Sequence, residues 1–187
     1  MGILEWNADL SFSVSMNKYI DEIYKDIYPV KSITRLTRDD VPHILDQKFH
    51  IDTIIQLDNG MIITAQEKTR RLKYIKYQEF TLEFTNNQFG KPGEFQKLCT
   101  DIYFYGYGEP EKGFECVYIF KPIDVKNAII KNELKGKLQV NQYHSTASFF
   151  AYPFKNFKVH WFIYKRGFGG ADYPPVTNPA NNATQKL

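Results

Sequence analysis

At 187 residues, with 43% hydrophobic and 24% charged side chains, the chain has the size and composition of one globular domain, which excludes an intrinsically disordered protein and a second large domain. A formal charge of +3 is too small to argue nucleic-acid binding by itself, and two cysteines without a CxxC or Cys/His array exclude a disulfide scaffold and a structural zinc site. No run approaches the roughly 20 apolar residues that cross a bilayer, and the start MGILEWNADLSFSV lacks a basic segment followed by an apolar core, so the expectation is a cytoplasmic protein without membrane association.

In chain order, Ile20, Ile23, Tyr24 and Ile27 recur at one-turn spacing and predict a helix over 17–28, stopped by Pro29. Residues 38–46, with Pro42 near their beginning, predict a short turn or second helix. Ile, Thr and Leu enrichment predicts a strand over 49–57. Asp58-Asn59-Gly60 then supplies a turn, and 61–69 reads as the returning strand. Phe80, Leu82 and Phe84 alternate with Thr81, Glu83 and Thr85, predicting a further strand, with a loop through Asn86-Asn87 and Gly90–Gly93. Strands are expected over 98–107 and 114–120, a helix over 124–135, a short strand over 137–140 and a last strand over 160–164. The proline-bearing segment 172–187 predicts a disordered tail behind a single domain spanning 1–171.

Charge is unevenly placed: residues 1–50 carry 6 basic and 8 acidic side chains, and residues 51–187 carry 18 and 13. The densest basic stretch runs from Lys68 to Lys76 and includes Arg70, Arg71 and Lys73. A solvated face beside a strand explains such a run as well as a ligand surface does.

The stretch from His50 and Asp52 through the Asn59-Gly60 turn to Gln66-Glu67-Lys68 resembles the core of the PD-(D/E)xK nuclease superfamily. In that superfamily an Asp near one strand is followed, usually after a hairpin, by Asp or Glu, any residue, and Lys on the next strand. Asp52 matches the first acidic position and Lys68 the lysine. Gln66 stands where the second acid is expected, and Glu67 lies between Gln66 and Lys68. The likeness is strongest in the hairpin and extends more loosely to the element order of helix, hairpin, further strand and helix. It implies an α/β (or α+β), restriction-endonuclease-like fold with a mixed central β-sheet flanked by helices.

Two hairpin registers are open. A two-residue loop at Asn59-Gly60 pairs Asp52 with Glu67 and sends Lys68 to the other face. A three-residue loop with Gly60 at the bulge position pairs Asp52 with Gln66 and His50 with Lys68, putting all four on one face. A bulge near Glu67 would instead deliver both its carboxylate and Lys68 to one site.

The resemblance implies metal-dependent hydrolysis of DNA phosphodiester bonds, with Mg2+ or Mn2+ held by Asp52 together with Glu67 or the Gln66 carbonyl oxygen. Lys68 would orient the attacking water or stabilise developing negative charge. Glu22 is a further acidic candidate, since related nucleases often place a Glu on an early helix; an ordinary solvent-facing carboxylate is the commoner role. Arg70 continues the Lys68 face and is the better phosphate contact, while Arg71 and Lys73 belong to the opposite alternation. His50 is one alternation from Asp52, near enough for metal or phosphate, or for a structural hydrogen bond. The tract Tyr103–Tyr107 has rings to stack on an unpaired base or to fill a sheet. A homodimer would be needed if symmetry-related sites cut both strands, and the resemblance fits a phage or mobile-element origin. The alternative reading is a non-catalytic nucleic-acid-binding or assembly protein with a nuclease-like fold, to which the Gln66 departure points.

Overall fold

The stripe begun by Ile20, Ile23 and Tyr24 continues backwards through Met16 and Phe12, and all five side chains are buried. They form the inner face of helix α1 (Ile3–Ile27), which starts earlier than the sequence spacing suggests because Phe12 and Met16 extend the one-in-four pattern through the serines. The structure is a computed structural model and describes residues 3–36, 45, 48–86, 91–140 and 147–167. The expected turn or helix over 38–46 falls almost wholly outside these residues, and the expected tail 172–187 does so entirely.

After α1 come β1 (Val30–Arg35), β2 (Thr53–Leu57), β3 (Ile62–Arg71), β4 (Glu79–Asn86), the two-residue β5 (Lys91–Pro92) and the single turn α2 (Glu94–Lys97). Then follow β6 (Ile102–Glu109), β7 (Gly113–Phe120), α3 (Pro122–Ile130), β8 (Lys137–Val140), β9 (Ala147–Pro153) and β10 (Phe162–Arg166). Six strands form one mixed sheet in the order β1-β2-β3-β6-β7-β10. The β3–β6 pair is parallel and its other pairs are antiparallel. A smaller antiparallel sheet runs β5-β4-β9-β8. The class is therefore a mixed α/β fold with a central sheet flanked by helices.

Side-chain alternation explains the layers. Along β6, Ile102 and Phe104 pack with Met16, Ile20 and Tyr24 of α1. Tyr103, Tyr105 and Tyr107 point the other way, into a second core with Phe80 of β4, Tyr152 of β9 and Val125 of α3. The large sheet is thus the middle layer, covered by α1 on one face and by the small sheet and α3 on the other. Burial on both faces is why the 103–107 tract carries aromatic rings on both alternations, and the three tyrosine rings are interior, closed to base stacking. Gly108 permits the close approach of α1: a Cβ there would lie 2.8 Å from Met16 Cε and 2.4 Å from the Gly113 carbonyl oxygen.

Two element boundaries differ from the sequence reading for identifiable reasons, and two strands were not expected. The strand expected over 49–57 begins at Thr53, since His50 has φ +50, a left-handed conformation that does not continue a ladder. The helix expected over 124–135 stops at Ile130, where Asn132 (φ +58) takes the left-handed C-terminal position. The backbone bonds Asn132 N–H to Ile129 O and Glu133 N–H to Ala128 O complete a Schellman closure. Edge strand β1 carries only a weak apolar signal, Val30 and Ile33 among polar residues, and was not anticipated; nor was β9. No helix among the described residues is long and apolar enough to cross a membrane.

The β2–β3 turn has three residues. Leu57 N–H donates to Met61 O at 2.9 Å, Gly60 N–H donates to Leu57 O at 2.9 Å, and Asn59 Oδ1 accepts from Met61 N–H at 3.0 Å. Gly60 holds φ +84, and a Cβ added there meets nothing within 4 Å. The cost of Gly60→Ala is therefore conformational alone, expected at about 1 kcal/mol and read as a lowered urea midpoint with unchanged m-value.

Candidate functional site

The three-residue turn sets the register. Ile55 pairs with Ile63 and Thr53 with Ala65, and the next step brings Asp52 to Gln66. Asp52 Oδ2 accepts from Gln66 Nε2 at 2.7 Å and from the Glu67 backbone N–H at 2.8 Å. Of the two registers open in the sequence, the structure has the one that keeps Asp52, Gln66 and Lys68 together.

The parallel partner of β3 identifies its faces. Gln66, Lys68 and Arg70 lie beside Tyr103, Tyr105 and Tyr107, all three on the face toward the small sheet. Glu67 lies beside Phe104, on the face toward α1. Lys68 Nζ donates to Thr81 O of β4 at 3.0 Å and stands 3.7 Å from Glu94 Oε2. Glu94 is itself buried and accepts at Oε1 from the Tyr103 hydroxyl. Burial, and then Glu94 beside it, hold that phenol well above its ordinary value.

Here a cleft of about 320 Å³ opens, lined by His50, Gln66, Lys68, Glu83, Glu94 and Lys97. Burial raises the Glu83 carboxyl above its usual range and the negative charge of Glu94 adds to this, while Lys68 and Lys97 act in the opposite sense. Glu83 and Glu94 escaped the sequence reading. Glu83 does occupy the polar alternation of the expected strand, but its neighbourhood with Lys68 depends on how the β3–β6 crossover folds back. Glu94 follows a glycine-bearing loop and carries no local signal.

Glu67 also lines the cleft, but its side chain lies on the α1 side of the strand. Its Oε1 lies 3.6 Å from Arg35 Nη2, which also meets Asp21 Oδ1 at 2.7 Å and donates to Asn17 O at 3.3 Å. Burial pushes the Glu67 carboxyl up, whereas the Arg35 charge and the nearby Thr53 and Tyr24 hydroxyls act to hold it down. It ties β3 to β1 and α1. Glu22 is exposed on α1, and Asp21, one residue earlier, is the α1 acid turned toward the sheet.

The expected basic surface divides as well. Arg71 faces α1, with its guanidinium 3.5 Å from Asp9 Oδ1 and 4.6 Å over the Phe12 ring. Lys73 is exposed on the 3-10 turn Leu72–Tyr77, its Nζ 5.0 Å over Tyr74. Arg70 alone of the three shares the Lys68 face, and it donates through Nε to the Tyr105 hydroxyl at 3.1 Å and through Nη2 to Thr81 Oγ1 at 2.8 Å.

Among the described residues no group of three or more His, Cys, Asp or Glu side chains converges as a metal cluster. The oxygen donors on this face are instead the Asp52 carboxylate, bonded to Gln66, and Gln66 Oε1, a buried oxygen with no hydrogen-bond partner. Hard oxygens in this small number suit Mg2+, which keeps several of its waters and takes only one or two carboxylates. A cleft with a lysine and paired carboxylates can neutralise a phosphate and exchange protons with bound water. No protein-family model matches the chain, and no curated protein and no solved structure matches it either.

Proposed function

We propose that the chain is a metal-dependent endonuclease that hydrolyses DNA phosphodiester bonds in the Lys68 cleft. The observation that carries this reading is the hairpin register, with Asp52 bonded to Gln66 and Lys68 one alternation further along the same face.

Asp52 and Gln66 Oε1 would hold Mg2+ or Mn2+, which when bound supplies charge neutralisation at the phosphate and a more acidic water. Lys68, held in place by Thr81 O, presents its ammonium to the phosphoryl oxygens as negative charge develops there. Glu83, whose carboxyl burial and Glu94 push up from its ordinary value, lines the cleft where it could take a proton from the attacking water. Glu94, with its phenol bond, positions the Lys68 ammonium. Glu67 serves the fold in this reading, and Glu22 has no part in it.

The test is incubation of the purified chain with supercoiled, linear duplex and single-stranded DNA, with Mg2+, Mn2+ or EDTA. Cleavage that needs the divalent ion, and that disappears in Asp52→Asn, is the expected result. No cleavage of any of these DNAs overturns the proposal. One observation favours a second reading, a DNA-binding or assembly protein without catalysis: an amide stands where the second acid belongs, and it occupies an Asp52 oxygen. That reading expects salt-sensitive DNA binding that EDTA leaves unchanged. Cleavage of both strands by symmetry-related clefts would require two copies of the chain.

A further inference from the structure

A second cavity, also about 320 Å³, lies further along the same face of β3. Its floor is polar. Two of the five Arg70 N–H groups are used by Tyr105 and Thr81, which leaves three. Among the described residues no carboxylate stands within ion-pair distance of Arg70. A half-buried guanidinium without counter-charge is costly to maintain, and an anion received beside it removes that cost. The local field is positive: burial alone would raise the Tyr105 phenol, yet Arg70 and Lys68 bring it below its ordinary value.

The rim is aromatic. Tyr74 and Tyr77 are three residues apart on the 3-10 turn, hence on one side of it, and both are exposed, at 42% and 56%. Phe149 of β9 adds a third ring to the lining. The Lys73 and Lys76 ammonium groups lie 5.0 and 5.1 Å over the Tyr74 and Tyr77 rings, adding positive charge outside the cavity. Anion-binding groups at depth and flat rings at the mouth suit a ligand with an acidic head and a planar body. The volume lies at the lower end of ligand pockets, roughly 300–1,000 Å³, which admits one nucleotide and excludes a duplex.

We propose that this cavity binds a single phosphorylated nucleotide unit, its phosphate on Arg70 and the Thr81 hydroxyl and its base against Tyr74, Tyr77 and Phe149. The choice of a nucleotide among aromatic anions rests on the nuclease reading. The unit would come from an unpaired DNA strand passing the Lys68 cleft, or from a free mononucleotide. Glu79, an acid on the cavity wall, opposes the anion and provides an internal control.

The test is calorimetric titration of the full chain with thymidylate, thymidine, inorganic phosphate and a short single-stranded oligothymidylate bearing a terminal phosphate. Thymidylate is expected to bind at least about tenfold tighter than thymidine or phosphate, because both subsites contribute. Tyr77→Ala, at an exposed position that does not endanger folding, should weaken thymidylate about tenfold. Arg70→Met should remove the preference over thymidine, and Glu79→Gln should tighten binding. An oligonucleotide that binds tighter than thymidylate identifies a strand as the source, and equal affinities identify the free nucleotide. Failure of thymidylate to bind, equal binding of thymidine, or an unchanged Tyr77→Ala affinity overturns the inference. Its failure is distinct from that of the nuclease reading: thymidylate binding without DNA cleavage defeats the enzyme proposal alone, and cleavage without thymidylate binding defeats this one alone.

Discussion

Lys68→Ala is expected to slow divalent-dependent cleavage about 10²–10³-fold, the usual loss when one preorganised charge is taken from a phosphoryl or oxyanion site. Single-turnover kinetics on an end-labelled duplex separate this from binding, since the ammonium matters most where charge develops. The variant should remain folded. Thr81 O loses one donor beside the cleft, and Glu94 keeps its bond to Tyr103. Lys68→Arg should recover little, because a planar fork cannot occupy the point held by an ammonium 3.0 Å from Thr81 O and 3.7 Å from Glu94. Asp52→Asn is the companion variant. Its amide oxygen still accepts from Gln66 and from the Glu67 N–H, so thermal stability should scarcely move while the negative charge disappears and cleavage with it. Cleavage by either Lys68→Ala or Asp52→Asn at the wild-type rate would remove the cleft from the chemistry.

How far the site was legible depends on how local each feature is. Asp58-Asn59-Gly60 announces a turn, and strand alternation separates Arg70 from Arg71 once the strand is granted. The same sequence admits a two- and a three-residue loop, and the choice lies in the left-handed Gly60 and in the Asn59 side chain closing on Met61. Glu67 is open to either face on that account; the observed register sends it to Arg35. Glu83 and Glu94 belong to the crossover between two parallel strands, whose path over the sheet no local pattern encodes. The aromatic tract 103–107 illustrates a further limit. Read alone it fits a stacking platform or a core strand, and only the presence of a second sheet, partly built from the unanticipated β9, makes it interior. Even there the tyrosine hydroxyls are put to use, on Glu94, Arg70 and the Glu79 backbone.

The polar group behind the sheet is where stability, as opposed to activity, should respond most. Arg35 serves both Asp21 and Glu67, and its side chain is 18% exposed against 9% for Glu67. Arg35→Met leaves Glu67 as an uncompensated charge in the interior, and an expected cost of about 3 kcal/mol follows. Glu67→Gln tests the same cluster from the other side, with the sign set by linkage. Burial, the largest influence, raises the folded Glu67 carboxyl above its ordinary 4.5. Between that value and the raised one the folded state holds more proton than the unfolded state, so this residue's contribution to stability declines as pH rises through the window. Burial raises Asp21 likewise, with Arg35 opposing. Urea midpoints between pH 4 and pH 8 should therefore fall less steeply with pH for Glu67→Gln than for wild type. For Arg35→Met they should fall more steeply, because the charge that holds both acids down has gone. A Glu67→Gln profile parallel to wild type, or an Arg35→Met loss below about 1 kcal/mol, would mean that solvent, not Arg35, compensates Glu67.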